Sequence, residues 1–246
     1  MDAATAIGSS WTASYDAAGN LTCRAATSAT TCAGSTPTGN ALAYDNEGRL
    51  ASWQSTPTTP LQSASFLYDG AGQRVAQVAS AGGGATTTTA YLGSLEEVAS
   101  SGSGTTTTAY YGGLAESVNG ALSYLLSDGL GSVSESISTS AGSVSATQLY
   151  APYGAVRYQS GMLPTDKGYT GQRSDASTSG LDYYGARYYD PVAGQFTSAD
   201  TLLPQSVAQP ARDEVRRLAR KRGIRDRRPE PLRPPQRDEQ LSLLSA

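Results

Sequence analysis

The chain of 246 residues contains no histidine. That removes the commonest general base and the commonest metal ligand, so neither a Ser-His-Asp nor a Cys-His arrangement can form. Cys23 and Cys32 are the only thiols, too few to complete a structural zinc site. No cofactor, metal or small-molecule substrate is expected. Large apolar residues are also scarce: Leu, Ile, Val and Phe together number 37, about 15% of the chain, below the level of an ordinary cored globule. Charge is low as well, 16% with a net of −3, so the high-charge signature of disorder is missing. No apolar run is long enough to span a membrane. The first seven residues carry neither the basic nor the apolar stretch of a secretory signal, and the early start of the repeats predicts a natural beginning further upstream.

The chain is instead rich in Tyr, with 15, and Gly, with 27. A tyrosine ring packs on a pleated surface while its hydroxyl finds a partner, so burial carried by Tyr predicts a broad, thin sheet without a compact centre. One pattern organises these residues. Tyr15-Asp16-x-x-Gly19, Tyr44-Asp45-x-x-Gly48 and Tyr68-Asp69-x-x-Gly72 repeat at intervals of 29 and 24 residues. Each copy ends an extended run with an aromatic residue, offers a short acceptor to the backbone two residues on, and supplies Gly where a turn needs positive φ. Strand-like runs follow each Gly, so the unit is a β-hairpin, marginal alone and stabilised by pairing with its neighbours. A carboxylate in such a turn caps backbone amides, which is the role expected of Asp16, Asp45 and Asp69.

These copies resemble the YD repeats of bacterial Rhs proteins and related toxin-complex shells. Asp128-Gly129-Leu130-Gly131-Ser132-Val133 and Tyr150-Ala151-Pro152-Tyr153-Gly154-Ala155-Val156-Arg157 resemble further segments of that family. The stretches Tyr169–Arg173, Gly180–Pro191 and Gly194–Asp200 resemble its repeat-associated core domain. The resemblance implies an all-β fold of antiparallel hairpin repeats, part of a spiralled shell sheet. It divides the chain into YD repeats over 1–120, a core over 121–204 and a basic Pro/Arg-rich tail over 205–246. Full-length members are secreted or displayed at the cell surface, and they enclose and deliver a C-terminal toxin. The implied partners are therefore the remainder of the shell or that toxin, and the implied role is structural and non-enzymatic.

Some members also contain an aspartate-dependent self-cleaving core, which makes Arg187, Asp190 and Asp200 candidates for such an apparatus. Paired carboxylates can share a proton and activate water. A further Tyr-rich, Asn-Pro-containing segment that would complete that apparatus is not found after Pro204. Alternation from Leu181 to Asp190 predicts one strand, with Arg187 on a face of aromatic residues. A third reading is a carbohydrate-binding face formed by Tyr183 and Tyr188.

Two other features bear on organisation. Thr86-Thr87-Thr88-Thr89-Ala90-Tyr91 recurs nineteen residues on, from Thr105 to Tyr110, and both copies read as strands joined through a flexible tip at Ser100–Gly104. Gly82-Gly83-Gly84 has no following Gly-Lys-Ser/Thr, so it reads as a turn and not a phosphate loop. Cys23 and Cys32 can close a small disulfide in an oxidising compartment, or stay as free thiols in a reducing one.

The tail reverses the charge. Residues 205–246 hold 11 Lys or Arg against 6 Asp or Glu, a net of +5, whereas residues 1–204 hold 7 against 15, a net of −8. Residues 211–222 could form a short helix after Pro210. Interspersed acids and the lack of aromatic residues argue against nucleic acid as a partner. The abrupt end of the hairpin pattern is what a frame-shifted or recombined terminus would produce.

Overall fold

The computed structural model describes residues 5–7, 11–27, 29–55 and 61–200. The basic tail with its candidate helix lies outside them. The chain divides into two compact units, Met1–Ala199 and Asp200–Ala246, and every strand among the described residues lies in the first.

Fifteen strands form one sheet. They are β1 (Ala6–Ile7), β2 (Trp11–Tyr15), β3 (Leu21–Ala25), β4 (Asn40–Tyr44), β5 (Leu50–Gln54), β6 (Ser63–Tyr68) and β7 (Arg74–Ser80). The Thr-rich β8 (Thr86–Leu92), β9 (Glu96–Ser101) and β10 (Gly104–Tyr111) continue it, then β11 (Ala115–Val118), β12 (Ala121–Ser127), β13 (Val133–Ser138), β14 (Ser143–Tyr150) and β15 (Val156–Ser160). Spatial order equals chain order throughout, and the sheet runs unbroken through residue 120. A second sheet of four short strands follows: β16 (Arg173–Ser174), β17 (Asp182–Tyr183), β18 (Tyr188–Asp190) and β19 (Gln195–Phe196). No α-helix occurs among the described residues.

The turn chemistry explains this order. In each Tyr-Asp-x-x-Gly copy the Asp N–H donates to the carbonyl four residues on, and the Gly N–H donates back to the Asp carbonyl. The Asp Oδ1 accepts two more backbone amides, those of Ala18 and Asn20, of Glu47 and Arg49, and of Ala71 and Gln73. The Gly lies at φ of +84, +75 or +80°, the left-handed position that follows a type I turn in a bulged hairpin loop. Ser127-Asp128-Gly129-Leu130-Gly131 builds the same turn without the tyrosine. The turns starting at Ala151 and Gly168 keep the two backbone bonds with no carboxylate at all.

The expectation of a thin sheet without a compact centre is corrected. The second sheet folds back over the first strands, and Trp11, Leu21, Leu42, Leu50, Trp53 and Phe66 form one buried cluster with Leu181 and Tyr188. The YD tyrosines take part: Tyr44 donates to the Thr197 carbonyl (3.3 Å), and Gln195 donates to the Tyr15 hydroxyl (2.6 Å). The reading of residues 181–190 as one strand is also corrected. Gly185, at φ +77°, reverses the chain, and β17 and β18 pair as a hairpin with Tyr183 opposite Tyr188. Cys23 and Cys32 form a disulfide, buried between β3 and the loop leading to β4.

Candidate functional site

The chemistry concentrates along the seam where residues 162–197 pack on one face of the long sheet. Three arginines cross it, each from a position that a surface strand would leave in water. Burying a guanidinium is costly unless a carboxylate meets it, and each is met.

Arg24, on β3, reaches Asp190 through Nε to Oδ2 (2.6 Å) and Nη2 to Oδ1 (2.8 Å), and its Nη1 donates to the Ser179 carbonyl. Trp11 Nε1 donates to Asp190 Oδ2 (3.0 Å), and the Val192 and Ala193 amides donate to Oδ1. Burial pushes the Asp190 carboxyl up, but the hydrogen bonds and charge of Arg24, aided by Trp11, hold it below the ordinary aspartate range. With both oxygens committed and the group ionised, Asp190 acts here as the anchor of the small sheet.

Arg74, on β7, donates through Nη1 to Asp175 Oδ2 (2.6 Å) and to the Tyr188 hydroxyl (3.0 Å). Its guanidinium carbon lies 4.7 Å from the Tyr183 ring centre, 4.8 Å from Tyr91 and 5.4 Å from Phe66. Four rings thus surround one cation, counting Tyr188 at 6.0 Å. Arg173, on β16, pairs with both Glu97 of β9 and Asp166, and stacks over Tyr91 at 4.3 Å.

Around Arg173 lies a cluster of acids, Glu97 and Asp166 half-buried and Glu116 buried. Tyr110 donates to Asp166 Oδ1 (3.1 Å), and Lys167 Nζ sits 4.9 Å above the Tyr110 ring. Glu116, on β11, is fully buried, and neither carboxylate oxygen has a hydrogen-bond partner among the described residues. Burial pushes its carboxyl up to about 7, with Asp166 and Glu97 adding to the shift. Asp182 is likewise raised, to about 6, by burial and then by Asp175 and Asp190, against a hydrogen bond from Ser174.

The sequence-derived candidates therefore occupy different places. Asp190 is locked to Arg24. Arg187 closes the β17–β18 turn, its carbonyl accepting from the Tyr184 amide and its guanidinium 4.0 Å over the Phe196 ring. Asp200 begins the second unit. Tyr183 and Tyr188 both face the Arg74 guanidinium, Tyr188 being 2% exposed and Tyr183 half-buried. No group of three or more metal-ligating side chains occurs among the described residues. Arg24, Arg74, Glu97, Glu116 and Asp175 were not singled out from the sequence, where each looks like an ordinary charged residue on a strand or loop.

This is the fold of an antiparallel hairpin-repeat sheet with residues 162–197 docked on one face. No family model and no curated protein matches the chain. Solved structures do. The chain is similar to the complex described as TcdB2-TccC3-Cdc42 (TM-score 0.58, 20% identity, 78% of this chain) and to TcdB2-TccC3 (TM-score 0.57, 21% identity, 78%). It is also similar to the Photorhabdus luminescens Tc holotoxin pore carrying a substitution in TccC3 (TM-score 0.57, 20% identity, 77%). In each case it spans 12% of the other chain. At this identity the likeness is one of fold alone. No helix among the described residues is long and apolar enough to cross a membrane.

Proposed function

We propose that this chain is a non-enzymatic wall segment of an Rhs-type shell, which in a longer polypeptide helps to enclose and deliver a C-terminal toxin. The observation that carries this reading is the run of fifteen strands paired strictly in chain order. A meander adds wall with every hairpin and has no intrinsic end, which suits an enclosure more than a compact enzyme. The three buried arginine pairs give the wall an inner lining that is held in place. The chain's partners, on this reading, are neighbouring strands of the shell and the enclosed polypeptide, and it works outside the cell that makes it.

The test is protease protection. The coding sequence with its genomic flanks would be expressed with a cleavable reporter following the shell. A reporter that resists protease until the shell is denatured supports the reading. A reporter digested as fast as a free control overturns it. Release of the reporter without added protease, abolished by Asp200→Asn, would favour the self-cleaving alternative.

A further inference from the structure

We propose that residues 162–172 form a proton-controlled latch on one face of the long sheet, docked while Glu116 carries a proton and loosened when it ionises. The inference does not depend on what the longer polypeptide encloses.

The latch is held at defined points. The Val133 amide donates to the Gly168 carbonyl (3.2 Å) and the Thr170 amide donates to Ser132 Oγ (3.1 Å), tying it to β13 and the preceding turn. The Tyr110 hydroxyl bonds Asp166 from β10, and Arg173 bridges Asp166 to Glu97 of β9. Residues 162–169 roof a cavity of about 810 Å³ whose other walls include Glu97, Thr108, Val118 and Tyr150. A loosened latch would open that cavity to the interior.

Glu116, on β11, does not line that cavity; it lies beside the latch at Thr165 and Asp166. Its cross-strand neighbours are Tyr110 on β10 and Ser123 on β12. The groups that act on it are the Thr165 hydroxyl and Lys167 from the latch, which oppose the rise, and Asp166 from the latch and Glu97 from β9, which add to it. Arg173 is already shared between Glu97 and Asp166. Two acids and two bases therefore balance around Glu116, and the set is neutral only if Glu116 is protonated. Ionisation places an unmatched, unsolvated charge beside Asp166, the residue through which both Tyr110 and Arg173 hold the latch. The carboxyl's elevation to about 7 puts this change in the neutral range. The way to relieve the charge is to let water in, which loosening of the latch at Thr165 and Asp166 would allow.

The sign follows from linkage. A carboxyl that binds its proton more tightly in the docked state favours docking at low pH, and that preference is lost as pH rises from the ordinary value of 4.5 to about 7.

Hydrogen exchange of the full chain tests this. Peptides spanning 162–172, corrected for intrinsic exchange, should lose at least about tenfold of their protection between about pH 5 and about pH 8. In Glu116→Gln, which is neutral at both, they should stay protected at both. A wild-type profile without the change, or the same change in Glu116→Gln, overturns the proposal. A second measurement needs no variant. The Glu116 carboxyl carbon should titrate near 7, and a midpoint at the ordinary glutamate value would remove the basis of the latch.

Discussion

Arg24 and Asp190 stand 166 residues apart in the chain and form a two-point ion pair with both side chains almost fully buried. The pair ties β3 to β18, across the seam between the two sheets. Breaking it from one side leaves a buried charge without a partner, which costs about 3–5 kcal/mol. Arg24→Met should therefore lower stability in urea by about that much. The double variant Arg24→Met/Asp190→Leu should recover a large part of the loss, because no charge then remains buried. Equal losses in the single and double variants would show that packing, and not the ion pair, holds the seam.

Gly48 tests the turn. It sits at φ +75° with open space where a Cβ would project, so a substitution meets strain and nothing else. Gly48→Ala should cost about 1–2 kcal/mol, and Gly48→Asn less, since Asn tolerates the left-handed region. Gly39 supplies the contrast. Its φ lies outside that region, but a Cβ there would come within 2.8 Å of both disulfide sulfurs and of the Arg24 carbonyl. Gly39→Ala should be the more damaging change in thermal unfolding. The reverse order would contradict the geometry.

The Cys23–Cys32 bond closes a loop across nine positions. In the chain-entropy picture it contributes about 2–3 kcal/mol. Unfolding in urea with and without reductant should differ by that amount, and Cys23→Ser/Cys32→Ser should match the reduced wild type. An unchanged midpoint on reduction would show that the loop is already ordered by other contacts, such as the Cys32 amide on Thr12 Oγ1.

The hairpins were legible because their cause is local. Asp69 and Gly72 act within four residues of each other, and such chemistry repeats visibly wherever it occurs. Asp128 could have been placed with them had the pattern been reduced to Asp-x-x-Gly, since the backbone turn does not need the tyrosine. The docked second sheet was not legible. Its strands are two or three residues long, too short for alternation to show, and Gly185 looked like one more position in a longer strand. Long-range pairs leave no period either: nothing near Arg74 in the chain announces that Asp175 and Tyr183 will meet it. Glu116 sits on a strand with apolar and small neighbours and reads as an outward residue until the latch is laid over it.

Stability should depend on pH in two opposing ways. Glu116 and Asp182 have raised carboxyls, at about 7 and about 6, so the folded chain binds more protons than the unfolded one and stability falls as pH rises through that range. Asp190 is held low. Its contribution is present above the ordinary aspartate value and lost as pH falls through the folded one. The unfolding free energy from urea titration should peak at about pH 4–5 and decline towards neutrality by about 3 kcal/mol for each raised group. Glu116→Gln and Asp182→Asn should each flatten the upper limb. A midpoint that climbs steadily to pH 8 would be incompatible with these environments.

Arg74 separates charge from shape. Its Nε and Nη2 have no hydrogen-bond partner among the described residues, yet they lie among the faces of Tyr91, Tyr183 and Phe66. Stacking on the rings takes the place of those missing bonds. Lysine would keep the charge for Asp175 but lose the planar contact, so Arg74→Lys should cost about 1–2 kcal/mol. Arg74→Met keeps an apolar stem in the cage but strands Asp175, and should cost about 3–5 kcal/mol. Arg74→Met/Asp175→Asn should then recover much of that difference. Urea unfolding of the four proteins decides the order. If Lys proves harmless, the rings contribute only packing; if Lys is as damaging as Met, the flat guanidinium and not the charge is what the cage selects.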